Sequence, residues 1–181
     1  MRDKRQDDRR SWHVVDIISG VTHSALSTFA DVAREYCAWA DAEPSARPEE
    51  DAVRALRLLV ALYAAALELP EGMAAEGEVD SNSQEEWRRV YDRFNGLPVS
   101  YYREVYNLLE LSDEEPVLGS LADDLADIHR DLQRGLLLFD RGEAEGAAWE
   151  WSFHFRAHWG RHLTGALHAL HVWWEGNYFD A

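Results

Sequence analysis

What this chain of 181 residues holds little of already narrows its possibilities. Its single cysteine, Cys37, has no internal partner for a disulfide. With no neighbouring motif to lower its pKa, Cys37 reads as a half-buried small residue and not as a nucleophile. Basic residues are scarce, 18 against 34 acidic ones, giving a formal charge of -16. An acidic chain of this kind repels phosphate backbones and anionic membranes, so no nucleic acid and no membrane is expected as a partner. Long apolar runs are missing too, the richest, Leu56 to Leu69, being interrupted by Arg57 and Glu68. No apolar segment follows the charged Met1 to Arg10, as a secretory leader would require, and a cytoplasmic location is expected. One lysine, Lys4, stands beside 17 arginines, which with the abundant alanine suits a GC-rich bacterial genome. A glycine-rich phosphate loop, a nucleophile elbow, a CxxC pair and a fixed-period repeat are all absent.

What is present is helical periodicity. Met1 to Arg10 reads as a disordered arm, and residues 11–181 as one all-helical domain. From Ser11, the positions Val15, Ile18, Thr22, Ala25, Phe29, Val32, Tyr36 and Trp39 alternate three- and four-residue steps, predicting a long helix that stops near Ala42. A second helix is expected from Pro48, with acidic Glu49, Glu50 and Asp51 at its positive end. Its main stripe is Val53, Leu56, Val60, Tyr63 and Leu67, while Leu58 and Leu62 lie on another side and suggest a central helix or a homodimer contact. Pro70 to Asn82 reads as a loop. Ser83 and Glu86 have capping-box spacing and open a short third helix bearing Trp87, Val90, Tyr91 and Phe94. Tyr101 to Leu111 is expected as a fourth helical piece, and Leu118 to Phe139 as a fifth helix closed by Gly142. No strand is expected. The fold class is therefore an all-α bundle of five or six helices ending in an antiparallel helical hairpin.

The last helix, expected from Glu143 to about Glu175, carries the densest chemistry. Residues 147–171 hold three of the eight tryptophans and five of the eight histidines, with His154, His158 and His162 spaced by four. Together with Asp123-Asp124-Leu125-Ala126-Asp127-Ile128-His129-Arg130-Asp131-Leu132 and Gly142, the elements Trp149-Glu150-Trp151, His158-Trp159-Gly160-Arg161-His162 and Ala169-Leu170-His171 give the segment its character. Over residues 118–171 the chain resembles the bacterial domain-of-unknown-function family 5063. The resemblance implies an all-helical single domain and brings no activity, cofactor or catalytic residue.

If Gly142 and Glu143 form a tight turn, residues equally distant from it lie at one height, since both helices rise about 1.5 Å per residue. That pairs Asp131 with His154, Asp127 with His158 and Asp124 with His162. The two polar flanks either face each other or both point outward, according to the hand of the hairpin. Facing inward, His158 and His162, with Asp124 or Asp127 adding an oxygen, have the donor types to hold a divalent metal, and the set His158, His162 and Asp124 would serve a metal-dependent hydrolase. The simpler reading is a ladder in which each aspartate orients a histidine and locks the hairpin. That reading is preferred, because Trp159 stands where an HExxH zinc site would have its glutamate. Arg161 is expected to pair with Asp124. Trp151, placed on the histidine flank, is a candidate contact for a partner or small ligand. The function favoured is a non-enzymatic interaction or structural module, acting on an unknown protein partner or as a homo-oligomer. No cofactor is expected beyond a possible divalent metal.

Overall fold

The computed structural model describes residues 8–74, 83–105, 107–110 and 115–179, and for residues 8–23 and 178–179 the backbone alone. The N-terminal arm thus falls largely outside the described residues, as do the side chains of His13 and His23 and most of the 70–82 loop. The elements follow in the order α1 (Asp8–Asp41), α2 (Pro48–Ala66), α3 (Gln84–Phe94), β1 (Tyr101–Glu104), β2 (Val117–Ser120), α4 (Leu121–Asp140) and α5 (Ala144–His154). A π-helical turn, Phe155–Trp159, then runs directly into α6 (Gly160–Phe179). Helix α1 begins at Asp8 and so takes in the last residues of the expected arm.

Helix α4 is the hub, packing against α1, α3, α5 and α6. Of the stripe Leu118, Leu121, Leu125, Ile128, Leu132, Leu136 and Phe139 expected for this helix, the fold exposes Leu118, leaves Phe139 half-buried and buries Leu121, Leu125, Ile128, Leu132 and Leu136. They meet Phe29 and Tyr36 of α1, Phe94 of α3, and Trp151 and Trp159 of the last helical run. The Tyr36 hydroxyl donates to the Leu125 carbonyl at 2.8 Å, so even this buried phenol is satisfied. Cys37 is buried as well, and burial raises its thiol far above the ordinary range.

Three expectations are corrected. The first concerns α2, whose inward face is Ala52, Ala55, Leu58, Leu59, Leu62 and Ala66, while Val60 and Leu67 are exposed. Periodicity shows that a helix has two apolar stripes but cannot rank them; here the flatter, alanine-bearing side is the one that fits closely against α1 and α6. Leu58 and Leu62, read above as marking either a central helix or a homodimer contact, are core residues, as the first alternative has it. The second concerns Tyr101–Glu104, which is a strand and not a helix. It pairs antiparallel with Val117–Ser120, Tyr101 opposite Ser120 and Tyr102 opposite Gly119. Aromatic residues suit a pleated, half-exposed surface, and the cross-strand partners that complete its hydrogen bonds are 13 to 19 residues distant in sequence. Leu118 therefore belongs to β2, and α4 starts three residues later, where the Ser120 hydroxyl accepts the Asp123 N–H. The third is the last helix, which is interrupted by the π turn.

The turns behave as read. Ser83 and Glu86 form the capping box, each side chain accepting the other's backbone N–H. Gly142 takes φ +81°, a left-handed conformation that suits glycine, and reverses the chain between α4 and α5. Away from that turn, a buried ion pair joins α2 to α3. Arg93 lies 3.1 Å from Asp51, which also accepts from Trp39 Nε1 and the Ser45 N–H, both at 3.0 Å.

Two predictions follow from these placements. Leu58→Glu with Leu62→Glu should abolish folding, because positions 4% and 0% exposed would each receive an unpaired carboxylate. Circular dichroism checks this, and a helical, cooperatively melting double variant would contradict the packing. The second concerns acid. The hydrogen bond with His129, ahead of the Arg89 interaction, holds the Asp41 carboxyl at about 2. Burial pushes Asp51 upward, but the Ser45 N–H, Trp39 and Arg93 outweigh it and leave its pKa lowered. Both carboxyls bind protons more weakly folded than unfolded, so their contribution is whole above the free value of 3.8 and is lost as pH falls below it, toward about 2 for Asp41. Urea midpoints should drop through that window, and less steeply in Asp41→Asn.

Candidate metal centre

Asp124, Asp127 and Asp131 recur at three- and four-residue steps on α4 and so share one face. The Gly142 turn brings α5, the π turn and α6 back along that face, and the hand of the hairpin is the inward one: Asp124 and Asp131 are 5% and 4% exposed. Carboxylates so buried need partners, and each has an imidazole. His162 Nδ1 lies 2.8 Å from Asp124 Oδ1, and His158 Nδ1 lies 2.6 Å from Asp131 Oδ2.

Of the three expected pairs, then, Asp124 with His162 forms as read. His158 moves to Asp131, keeping Asp127 at 4.0 Å from its Nε2. His154 does not reach Asp131 at all. It lies 3.2 Å from Glu150, one turn earlier on its own helix, in a group completed by Arg134. The cause is the π turn, whose extra residue displaces the faces before and after it by one position, about 100° of rotation. Gly160 accompanies this turn: its N–H donates to the Phe155 carbonyl, and a Cβ there would overlap that oxygen.

The same offset corrects Trp151. Expected on the histidine flank, it is fully buried, its ring 4.8 Å from Phe29 and its Nε1 donating to the Leu132 carbonyl at 3.1 Å. A Cβ at Gly135 would overlap its indole nitrogen, so this glycine leaves the space that the indole fills. No partner can touch Trp151 in this state. Arg161 is exposed and lines a separate cleft of about 390 Å³ with Tyr63, Phe155 and Thr164.

With both Nδ1 atoms committed, the Nε2 atoms of the two histidines are left beside one remaining carboxylate. Asp127 Oδ2 lies 3.6 Å from His162 Nε2 and 4.0 Å from His158 Nε2. Its other oxygen, Oδ1, is occupied, accepting from Trp87 Nε1 and ion-paired with Arg130 Nη2, both at 2.8 Å. One ligand atom from each of Asp127, His158 and His162 lies within 4.8 Å of the others. Asp127 therefore replaces Asp124 in the ligand set anticipated from sequence. Both oxygens of Asp124 are engaged, one by His162 and the other by the Tyr102 hydroxyl at 2.6 Å.

The electrostatics are those of a site short of positive charge. Burial raises the Asp123 carboxyl, and repulsion from Asp127 and Asp124 raises it further. Burial alone would lower His162, but the hydrogen bond to Asp124 and the charges of Asp124, Asp127 and Asp123 outweigh it and raise its pKa. Burial likewise drives the Tyr102 phenol up, with Asp124 adding to the shift, so Tyr102 stays a proton donor.

Sequence reasoning missed Trp87, Tyr102 and Arg130. The sequence places Trp87 on the apolar side of a short helix and Tyr102 in an expected helical piece, and no local signal reports that an indole 40 residues from Asp127 ends on its oxygen. Arg130 was legible in principle, standing three residues after Asp127 on the same helix.

A family model described as a domain of unknown function (DUF5063) matches residues 21–174. The chain belongs to the DUF5063 family. The match extends the likeness read from residues 118–171 over most of the chain, and the whole cluster from Trp87 to His162 lies within it. Among solved structures, this DUF5063 chain is similar to the crystal structure of protein BF1032 from Bacteroides fragilis. The TM-score is 0.64 at 21% identity, over 80% of this chain and 91% of that one, a likeness of fold. No curated protein matches. Among the described residues, no helix is long and apolar enough to cross a membrane.

The hydrogen bonds to Asp124 and Asp131 predict a tautomer. In their neutral forms His158 and His162 should carry the proton on Nδ1 and leave Nε2 bare. Long-range proton–nitrogen correlation spectra of labelled histidine read this directly, and Nε2-protonated rings at both positions would contradict the geometry.

Proposed function

We propose that this protein is a metal-binding module that holds one divalent transition ion between His158 Nε2, His162 Nε2 and Asp127 Oδ2. The observation that carries the reading is the commitment of the opposite atoms. Asp131 and Asp124 take the two Nδ1 positions, and Trp87 and Arg130 take Asp127 Oδ1, so the three atoms left over are those that converge. Ligating histidines characteristically donate their second nitrogen to a carboxylate, which orients the ring and raises its basicity.

The spacing fits an ion. Ligands lie about 2.0–2.2 Å from such a metal, so two of them are separated by at most about 4.4 Å. The two carboxylate-to-imidazole distances, 3.6 and 4.0 Å, meet this limit, and with all three atoms within 4.8 Å of one another a small closure of the imidazole pair brings the set onto one ion. Two imidazoles and one carboxylate suit zinc, iron, cobalt or nickel. Calcium takes six to eight oxygens and magnesium near-ideal octahedral oxygen geometry, and neither is favoured by this donor set.

A stable ion here would tie α4 to the π turn and α6, consistent with a non-enzymatic structural or interaction role. A metal-dependent hydrolase is the second reading, favoured by the three-residue donor set, which leaves a coordination position for water beside the partly exposed His158. A protein partner or a second copy of the chain remains part of the first reading, and cytoplasmic location and bacterial origin stay as sequence expectations.

Elemental analysis of protein purified without a metal column should give close to one transition metal per chain. The ion should be lost in His158→Ala with His162→Ala, and Asp124→Asn or Asp131→Asn should weaken binding by about 10–100-fold. Wild-type protein that stays metal-free and takes up neither zinc nor cobalt on titration would refute the proposal. Hydrolysis of model esters or phosphoesters by the loaded protein, lost with the metal, would select the hydrolase.

A further inference from the structure

Beyond the ligands and their direct partners lies a contact that neither helix of the hairpin provides. Tyr102 sits on β1, outside the helical bundle, yet its hydroxyl reaches the buried Asp124 at 2.6 Å. The reach depends on two glycines. Gly119, the cross-strand partner of Tyr102, would place a Cβ 2.7 Å from the Tyr102 Cζ. A Cβ at Gly165 of α6 would overlap the Tyr102 hydroxyl itself. Any side chain at either position would force the phenol out of its slot. Real Cβ atoms do not approach neighbours this closely, so both gaps are necessary for the ring to lie where it does.

The consequence passes along one chain of bonds. Asp124 has two oxygens: Oδ2 accepts the phenol, and Oδ1 accepts His162 Nδ1 at 2.8 Å. Fixing the first oxygen fixes the plane of the carboxylate, and the plane of the carboxylate sets the direction of the imidazole. Trp87 plays the comparable part for Asp127 from α3, and Asp131 holds His158 directly. Among the described residues, Tyr102 is the one link in this network that comes from the β hairpin.

We infer that Tyr102 is a positioning residue for the metal site: through Asp124 it aims His162 Nε2 at the ion, making metal affinity depend on the β1–β2 hairpin. This rests on the metal-binding reading above. It extends that reading from the helical hairpin, which supplies the ligands, to an element that supplies none. The hydroxyl, and not the ring's bulk, does the positioning. Phenylalanine at 102 would fill the same slot between Gly119 and Gly165 and leave Asp124 Oδ2 without its donor.

The test uses the full chain, freed of metal, and cobalt(II) as the probe, because its visible absorption reports coordination geometry as well as occupancy. Tyr102→Phe should fold with an unchanged circular-dichroism spectrum. It should bind cobalt about tenfold more weakly than wild type, the scale of losing an outer-shell partner, with altered visible band intensities. A merely structural tyrosine would change the melting temperature and leave the cobalt spectrum alone. Gly165→Ala supplies a second variant: the new methyl meets the hydroxyl, so cobalt binding should weaken to a similar degree with the tyrosine retained. In Tyr102→Phe the nearest atom to that methyl becomes Cζ, at 3.3 Å, and adding Gly165→Ala should then weaken binding little further. Equal cobalt affinity and identical spectra in wild type and Tyr102→Phe overturn the inference while leaving the metal site intact. Fully additive losses in the double variant also overturn it. Wild-type protein that takes up no cobalt overturns the metal reading and this inference together.

Discussion

Two buried carboxylates constrain everything near the end of this chain. Asp124 and Asp131 are turned inward by the same helix that presents Leu125, Ile128 and Leu132 to the core. A carboxylate removed from water without compensation costs several kcal/mol, and a truncated partner leaves that cost exposed. Each is answered by an imidazole from the returning helix. The register of α4 against the π turn and α6 is thus held by charge complementarity as well as by packing. Slipping either helix by one residue would strand both acids.

The aromatic core acts on the same register from the other side. Trp151 fills the gap over Gly135 and donates to the Leu132 carbonyl, while Trp159 donates to the Trp151 carbonyl at 3.2 Å. These two tryptophans lie before and at the end of the π turn. Through that turn the run places both indoles in the core, yet keeps His158 and His162 on the acidic face. In a regular α-helix the core side and the histidine face would keep the relation read from the sequence, with Trp151 outside the core. The widened turn is a local departure from helical geometry, and such turns recur at functional sites.

Helix existence was legible because apolar periodicity, prolines and caps are local properties. Ser83, Glu86, Gly142 and the α4 stripe from Leu121 to Leu136 are where they were read to be. The Asp124 to His162 pair was legible for a related reason, since a tight glycine turn makes the heights of two helices predictable. What lay beyond reach was non-local. The inward stripe of α2 depended on which neighbours fitted it, the β1 strand on partners 13 to 19 residues away, and Trp87 and Tyr102 on the tertiary placement of other elements. Leu58 and Leu62 illustrate the limit: apolar on an apparently spare face, they are core because α1 and α6 cover them.

By itself, then, the sequence determined the helical character of the chain, its acidic surface, the turn at Gly142 and the chemical types gathered near its end. Each of these follows from residue identity and short-range spacing. Only the tertiary structure decided the hand of the hairpin, the insertion of the π turn and the choice of Asp127 over Asp124 as the carboxylate between the imidazoles. These are decided by three-dimensional competition for the same few oxygens. Asp124 is consumed by His162 and Tyr102, whereas Asp127, held on one side by Trp87 and Arg130, keeps its other oxygen turned toward the two imidazoles.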